Sequence, residues 1–155
     1  METVYGDIVD QRVDALVNAA NTQLLHGGGV CGAIFRAAGP ADLAAACAPL
    51  APISPGEAVI TEAFNIPVQA IIHTAGPIWR GGDNGEEDLL RACYRNACQV
   101  AVDNDLHSVA FPLLSAGIYG YPPQAALEIA TAELTAAEQR HSAHSLRTRL
   151  VLWRR

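Results

Sequence analysis

The sequence predicts an α/β protein, a three-layer α/β/α sandwich with a central mixed sheet. Short apolar strands alternate with segments of helical spacing, the order in which a largely parallel sheet is covered by helices on both faces. Residues 70–74 form a nearly continuous apolar run, which is typical of a central strand buried on both sides. The 155 residues suit a single domain that spans residues 1–155.

The first half of the chain is divided by glycine and proline into short elements. The first helix has apolar residues at helical spacing and is expected to end at Gly39-Pro40, and Pro49 stops the second. Residues 58–62 alternate between apolar and polar, as a half-buried strand does. The predicted elements here are the strands Thr3–Tyr5, Asp14–Asn18, Ala58–Glu62 and Ala70–Thr74 and the helices Val30–Ala38 and Ala41–Ala48.

The second half begins with a glycine-rich loop and contains two long helices. Acidic residues stand in the first turn of one helix, and proline stands near the first position of the other. Ligand loops are expected at the carboxyl ends of the central strands. The predicted elements here are the loop Gly81–Gly85, the helices Glu86–Asn104 and Pro123–Arg140 and the strands Ser108–Pro112 and Arg149–Trp153.

Composition and charge limit the partners. The formal net charge of −6 argues against a general affinity for nucleic acid or an anionic membrane. No stretch approaches the ~20 apolar residues of a membrane span, and the first ten residues do not resemble a signal peptide. The four cysteines, Cys31, Cys47, Cys93 and Cys98, form no CxxC pair, and no histidine stands at zinc-finger spacing. We therefore expect a cytoplasmic monomer with reduced thiols, no metal and no cofactor.

Two loops at predicted strand ends have the composition of an anion site. His26–Val30 contains three consecutive glycines directly before a helix, so its backbone can approach a ligand closely and present N–H groups. Ser115–Pro122 joins another strand to another helix and is also rich in small residues. A flexible loop and a tight strand-to-helix turn are the plain alternatives. Together the two loops predict a diphosphate held from both sides.

Several polar side chains stand beside these loops. Asp7 can cap a turn or accept a hydrogen bond from an exocyclic amine such as that of adenine. Asn18 is expected to tie its loop to neighbouring backbone, whereas Asn21 is closer to the glycines and can bind a ribose hydroxyl. The ring of Tyr119 can lie along a sugar face. His73, at the end of a core strand, is expected to be a hydrogen-bonded structural residue.

The order and spacing of these motifs resemble those of macrodomains, the ADP-ribose-binding modules, over essentially the whole chain. Each motif alone is weakly specific, but the set is highly specific. The matching segments are Gly6-Asp7-Ile8, Val17–Asn21, Gly27–Val30, Ala37-Ala38-Gly39, Ile72–Pro77 and Pro112–Pro122.

The resemblance implies ADP-ribose as the ligand and assigns roles to residues. Asp7 would bind the adenine amino group beside the Ile8 backbone, and Trp153 would place its ring against adenine. Asn21 would orient the distal ribose. The residues implied to line the distal ribose and diphosphate are Gly27, Gly28, Gly29, Val30 and Cys31 in the first loop and Ser115, Ala116, Gly117, Ile118 and Tyr119 in the second.

Within that family the chain is similar to hydrolases that remove single ADP-ribose units from acidic side chains, so ADP-ribosylated proteins are implied partners. Asn21, His26, Cys31 and Tyr119 are the candidate catalytic residues. The Asp that many of these enzymes carry after Gly-Gly-Gly-Val is Cys31 here, and a His of the following helix is Phe35. Cys31 either bonds weakly to the attacking water or fills space. The alternatives to hydrolysis of protein-linked ADP-ribose are a non-catalytic ADP-ribose reader and an O-acetyl-ADP-ribose deacetylase.

Overall fold

The computed structural model describes residues 1–153 and contains the predicted four helices and six strands. The strands are β1 (Glu2–Tyr5), β2 (Ala15–Ala20), β3 (Ala58–Thr61), β4 (Ala70–Ala75), β5 (Ser108–Pro112) and β6 (Arg147–Leu152). The helices are α1 (Gly29–Ala38), α2 (Pro40–Cys47), α3 (Glu86–Asp103) and α4 (Pro123–Arg140). Short 3₁₀ turns occur at Ile8–Asp10, Ala48–Leu50 and Ser142–His144.

The six strands form one mixed sheet in the order β1-β6-β5-β2-β4-β3. Only β3 runs antiparallel to its neighbour, and the other pairings are parallel. The carboxyl ends of β2, β5, β6 and β1 therefore open toward the same edge of the sheet. This arrangement brings the loops that follow these strands together.

Helices cover both faces of the sheet and bury two apolar clusters. Ala15 and Val17 of β2 point to the side covered by α3 and α4, and Leu16 between them points to the side covered by α1 and α2. The same alternation separates neighbouring residues of β4 and β5. The predicted three-layer α/β/α sandwich is thereby confirmed.

Two strands differ most from their predicted bounds. β2 continues two residues past Asn18, because Ala19 and Ala20 pair in register with Thr74 and Ala75. The polar Asn18 interrupts the apolar run in the sequence, but it lies inside the strand and is buried. β6 begins at Arg147, two residues earlier than predicted, and ends before Trp153.

Gly39 joins α1 to α2 with φ 109° and ψ 100°, and its N–H donates to the Phe35 carbonyl at 3.1 Å. Glycine suits this positive φ, and Pro40 follows as the first residue of α2. Within residues 1–153 no single helix is long and apolar enough to cross a membrane. The segments Gly29–Ala38 and Pro40–Leu50 reach that length and hydropathy only when taken together, across a bend of 108°.

Candidate active site

A cavity of about 1060 Å³ opens at the carboxyl ends of the central strands. It lies where the loops after β1, β2, β5 and β6 meet. Every residue that the sequence predicts as ligand-binding borders it. These residues are Asp7, Ile8, Asn21, Gly27, Gly28, Gly29, Val30, Cys31, Ser115, Ala116, Gly117, Ile118, Tyr119 and Trp153.

The first glycine loop leads directly into the amino end of α1. Gly28 is the N-cap residue, and none of the side chains in residues 1–153 caps this end of the helix. The first N–H groups of a helix have no intrahelical acceptor, so those of Gly29, Val30 and Cys31 are available to a ligand. Because the helix dipole adds a partial positive charge here, this wall of the cavity favours an anion.

A close backbone approach holds this loop against α1. A Cβ at Gly32 would lie only 2.6 Å from the carbonyl oxygen of Gly27. Any side chain at Gly32 would therefore push the loop away from the helix. The Gly32 N–H donates to the Gly28 carbonyl at 3.1 Å, which closes the first turn of α1.

The Asn21 side chain ties the loop after β2 to itself. Its Oδ1 accepts from the Leu25 N–H at 3.0 Å, and its Nδ2 donates to the Leu25 carbonyl at 2.8 Å. Asn21 also borders the cavity. The structure therefore gives Asn21 a loop-forming role, and its bond to a ribose remains a prediction.

His26 does not lie in the cavity, contrary to its prediction as a catalytic residue. Its ring stacks on Phe35 with centroids 5.0 Å apart and planes 4° apart. Phe35 is buried in the α1 layer, and stacking on it draws the imidazole to the helix rather than to the cavity.

The second glycine loop begins at Ser115, which has a left-handed φ of 64°. Its Oγ donates to the Pro77 carbonyl at 2.8 Å, and its own carbonyl accepts from the Tyr121 N–H at 2.9 Å. Within residues 1–153, the N–H groups of Gly117 and Ile118 have no protein acceptor. These donors border the cavity from the side opposite α1.

The two glycine loops approach each other across the cavity. Ile118 is 88% exposed, and its Cδ1 lies 3.8 Å from the position that a Cβ on Gly28 would take. An extended ligand bound between the loops would pass beneath Ile118. The predicted arrangement of donors on both sides of a diphosphate is therefore available in the geometry.

A neighbouring loop supports the second glycine loop from behind. The Trp79 N–H donates to the Tyr119 carbonyl at 2.8 Å, and the Trp79 ring packs on Tyr121 at 4.7 Å. The Glu86 carboxylate accepts backbone N–H groups of Arg80, Gly82 and Asn84 at 2.7–3.0 Å. These hydrogen bonds lower the pKa of Glu86 to about 2, and the bond from Arg80 contributes most to this shift.

The opposite end of the cavity is formed by β1 and β6. Asp7 caps the first 3₁₀ turn, since its Oδ1 accepts from the Val9 N–H at 3.1 Å. The Gly6 N–H donates to the Leu152 carbonyl at 2.9 Å, so Trp153 follows a strand that ends beside Asp7. The Trp153 side chain is 71% exposed. A carboxylate and an exposed indole thus stand at the same end of the cavity, and their contact with adenine stays a prediction.

Arg36 also borders the cavity, although it was not among the site residues predicted from the sequence. Among residues 1–153 it is the one basic side chain that lines the cavity, and it has no hydrogen bond or ion pair there. Its Nη1 lies 3.1 Å from the position of a Cβ on Gly32, one turn earlier on α1. The sequence contains one signal for this position. Arg36 stands four residues after Gly32, and helical side chains lean toward the amino end of their helix, which here borders the cavity.

Cys31 sits on the inner wall of the cavity and is only 6% exposed. Its Sγ donates to the Leu25 carbonyl at 3.5 Å and lies 3.8 Å from Nδ2 of Asn18. Asn18 in turn contacts His73, which is fully buried. The structural role predicted for His73 is therefore present in the core behind the cavity, whereas Asn18 contacts the side chains of Cys31 and His73 and not the neighbouring backbone that was predicted.

The Macro domain family matches residues 17–130. The O-acetyl-ADP-ribose deacetylase of Klebsiella pneumoniae (strain 342) is 50% identical over 144 residues, which cover 91% of this chain and 82% of that protein. The Oceanobacillus iheyensis macrodomain with ADP has a TM-score of 0.90 at 39% identity, and the match covers 98% of this chain and 82% of that one. The Trypanosoma brucei macrodomain in complex with ADP-ribose has a TM-score of 0.87 at 37% identity, over 97% of this chain and 62% of that one. The chain belongs to the Macro domain family.

Proposed function

We propose that this protein binds ADP-ribose in the cavity at the strand ends and hydrolyses an acyl ester on its distal ribose, with O-acetyl-ADP-ribose as the substrate. The observation that carries the proposal is the pair of glycine loops whose backbone N–H groups border one elongated cavity. A relative that is 50% identical is named O-acetyl-ADP-ribose deacetylase, and a structural neighbour binds ADP-ribose.

The polarity of the cavity supports one orientation of the ligand. Asp7 stands at the β1 end and would accept from the adenine amino group. The amino end of α1 and the loop at Ser115–Tyr119 would hold the diphosphate between them. The distal ribose would then lie toward Asn21 and Cys31, with Tyr119 beside it.

The proposed reaction at that ribose is ester hydrolysis, in which the departing ribose oxygen takes up the proton that the attacking water loses. Water adds to the acyl carbon, the ester C–O bond breaks, and acetate and the ribose hydroxyl of ADP-ribose are the products. Asp7 is the one carboxylate that borders the cavity among residues 1–153, and it stands at the adenine end. We infer that a phosphate oxygen of the substrate holds the attacking water, and that the loop N–H groups fix that phosphate.

A second candidate reaction uses the same site. Glutamate-linked ADP-ribose is also an acyl ester of the distal ribose, but its acyl group belongs to a protein. Leu25 is 63% exposed and Ile118 is 88% exposed, and both belong to the loops beside the proposed ribose position. This open rim would admit a modified side chain, so removal of mono-ADP-ribose from acidic residues is the runner-up.

A third possibility is that the protein reads ADP-ribose without cleaving it. The observation in its favour is Cys31, which puts a buried thiol where many related hydrolases carry an aspartate. Binding without turnover would then be the whole function.

One experiment separates these possibilities. Purified protein is incubated with O-acetyl-ADP-ribose and, separately, with a protein mono-ADP-ribosylated on glutamate, and products are followed by mass spectrometry. ADP-ribose affinity is measured in parallel by isothermal titration calorimetry. Release of acetate supports the proposal, release from the protein alone supports the runner-up, and micromolar binding without either product makes the protein a reader.

Asn21→Ala tests the assignment of the ribose end. Because Asn21 is proposed to orient the distal ribose, we expect turnover to fall more than ADP-ribose affinity. The variant also loses both bonds to Leu25. Asn104→Ala is the matched control, because it makes the same chemical change at the exposed end of α3. Equal losses of affinity and turnover in Asn21→Ala would instead show that Asn21 only shapes its loop.

A further inference from the structure

A cluster of two histidines and one aspartate lies at the end of the sheet opposite the cavity. The turn that contains Asp105 and His107 precedes β5, and His144 lies in the 3₁₀ turn before β6. Because β5 and β6 are parallel neighbours, their amino ends lie side by side. His144 is partly buried by this contact, and only 19% of its side chain is accessible.

The two ring nitrogens of His107 have different partners. Its Nδ1 donates to the His144 carbonyl at 2.9 Å, since a carbonyl oxygen can only accept. In the neutral imidazole Nε2 then carries the lone pair, and it lies 3.4 Å from Oδ1 of Asp105. A histidine whose second nitrogen donates to a backbone carbonyl has the orientation usual for metal ligands.

His144 offers the third ligand atom. Its Nε2 lies 4.0 Å from Oδ1 of Asp105 and 3.0 Å from the Leu106 carbonyl. In the metal-free protein this nitrogen donates to Leu106, so a metal would replace that proton. The ligand atoms of the three residues all lie within 4.8 Å of one another.

The separations are close to those of a small tetrahedral site. Metal–ligand bonds of roughly 2.0–2.1 Å place neighbouring ligand atoms about 3.3 Å apart. The distance of 3.4 Å between Asp105 and His107 already matches this value. The distance between Asp105 and His144 is longer, at 4.0 Å, and the side chain of Asp105, which is 87% exposed, can move to shorten it. The imidazoles of His107 and His144 stack at 4.1 Å with planes 15° apart, so the half-exposed ring of His107 must also turn.

We propose that Asp105, His107 and His144 bind a divalent transition metal such as Zn²⁺ or Co²⁺. Two imidazoles and a carboxylate suit these ions better than Mg²⁺ or Ca²⁺, which prefer sets of oxygen ligands. The remaining positions would be filled by water. The metal would join the segments that enter β5 and β6, the strands whose other ends carry Ser115 and Trp153. The site is independent of the proposed hydrolase activity.

The test titrates Zn²⁺ and Co²⁺ into protein that has been freed of metal with a chelator and dialysed. We expect one equivalent to bind with micromolar affinity, Co²⁺ to give visible bands of a low-coordinate site, and Zn²⁺ to raise the melting temperature. His107→Gln and Asp105→Asn should each weaken binding by about tenfold or more. Asparagine also tolerates the left-handed φ of 57° at position 105, so the backbone is retained.

Two controls exclude other sources of binding. His26→Gln removes an exposed histidine outside the cluster and should leave the affinity for Zn²⁺ unchanged. Cys31→Ser tests whether the thiol at the cavity wall takes the ion, because Co²⁺–thiolate absorption would then disappear. Absence of one-to-one binding, or unchanged binding in both His107→Gln and Asp105→Asn, would overturn the proposal. Melting curves without metal verify that each variant is folded.

Discussion

Nδ2 of Asn18 lies 3.1 Å from Nδ1 of His73, and this bond joins directly paired residues of the neighbouring strands β2 and β4. The amide nitrogen can only donate, so Nδ1 of His73 accepts and the proton resides on Nε2. Nε2 donates to Oγ1 of Thr61 at 2.9 Å, and that hydroxyl donates to the Glu62 carbonyl. His73 is thus held as the neutral imidazole, behind the wall of the cavity.

The buried His73 predicts a pH-dependent stability. Desolvation lowers the pKa of His73 from 6.5 to about 4. The unfolded chain therefore takes up a proton between pH 6.5 and 4 that the folded protein does not bind. The free energy of unfolding should fall through this window by about 3 kcal/mol from this group, with no further contribution below it.

Urea denaturation of the wild type and of His73→Gln at several pH values from 4 to 8 measures this contribution. We expect the variant to be less stable at pH 8, because packing and two hydrogen bonds change there. Between pH 6.5 and 4 its stability should fall less steeply than that of the wild type. Parallel curves for the two proteins across the window would show that His73 titrates normally in the fold.

Gly32→Ala should damage the first glycine loop. Alanine favours a helix by about 1 kcal/mol over glycine, but the added Cβ would meet the Gly27 carbonyl at 2.6 Å. Overpacking of this kind costs about 1–3 kcal/mol, so the clash should outweigh the helix preference. We expect a lower melting temperature and weaker ADP-ribose binding, as measured by thermal denaturation and calorimetry.

Gly28→Ala is the comparison for folding. A Cβ at Gly28 would meet only Cδ1 of Ile118, at 3.8 Å, and its φ of −90° suits alanine. Its melting temperature should stay near that of the wild type. If Gly32→Ala were as stable as Gly28→Ala, the close approach of Gly27 to α1 would not constrain the loop.

The layers of the fold could be predicted because glycine, proline and apolar periodicity are local signals. The bounds of β5 and α4 were predicted without error. β2 was predicted too short because the partner that makes Asn18 acceptable inside a strand is His73, 55 residues away. Such a pairing is set by the tertiary fold, and no pattern near position 18 reveals it.

The candidate site could be predicted where backbone supplies the contacts, since glycine loops before helices are visible in the sequence. The side chains were harder. His26 was placed in the site by its position beside the glycines, yet stacking on Phe35 takes it elsewhere. Arg36 does not stand beside the glycines in the sequence. It borders the cavity because its side chain on α1 leans toward Gly32, one turn earlier in the helix.

Cys31→Ala should separate chemistry from packing. The thiol is almost completely buried and donates to the Leu25 carbonyl, which favours the space-filling role. We expect ADP-ribose affinity and turnover to change by less than about threefold, which is under 1 kcal/mol. Stability should fall by about 1–2 kcal/mol as a small cavity forms.

Cys47→Ala provides the matched comparison, because Cys47 is equally buried but does not border the cavity. Both variants are assayed for turnover with O-acetyl-ADP-ribose and for stability in urea. A fall in turnover of about tenfold or more in Cys31→Ala alone, at unchanged affinity, would place the thiol in the reaction.

Arg36→Gln should weaken binding through the diphosphate. Arg36 is the basic side chain at the cavity and has no ion-pair partner within residues 1–153, so its charge is available to the ligand. Because the guanidinium is exposed and screened by salt, we expect a loss of about 1 kcal/mol in affinity for ADP-ribose, roughly fivefold. Calorimetry at low and high NaCl should also show a smaller salt dependence in the variant.

Two comparisons make the Arg36 prediction specific. Arg12→Gln removes the same charge from an exposed residue that does not border the cavity, so it should leave ADP-ribose affinity unchanged. Adenosine has no diphosphate, and its affinity should be the same for the wild type and Arg36→Gln. Equal losses for adenosine and ADP-ribose would mean that Arg36 shapes the cavity rather than attracting phosphate, because adenosine carries no phosphate.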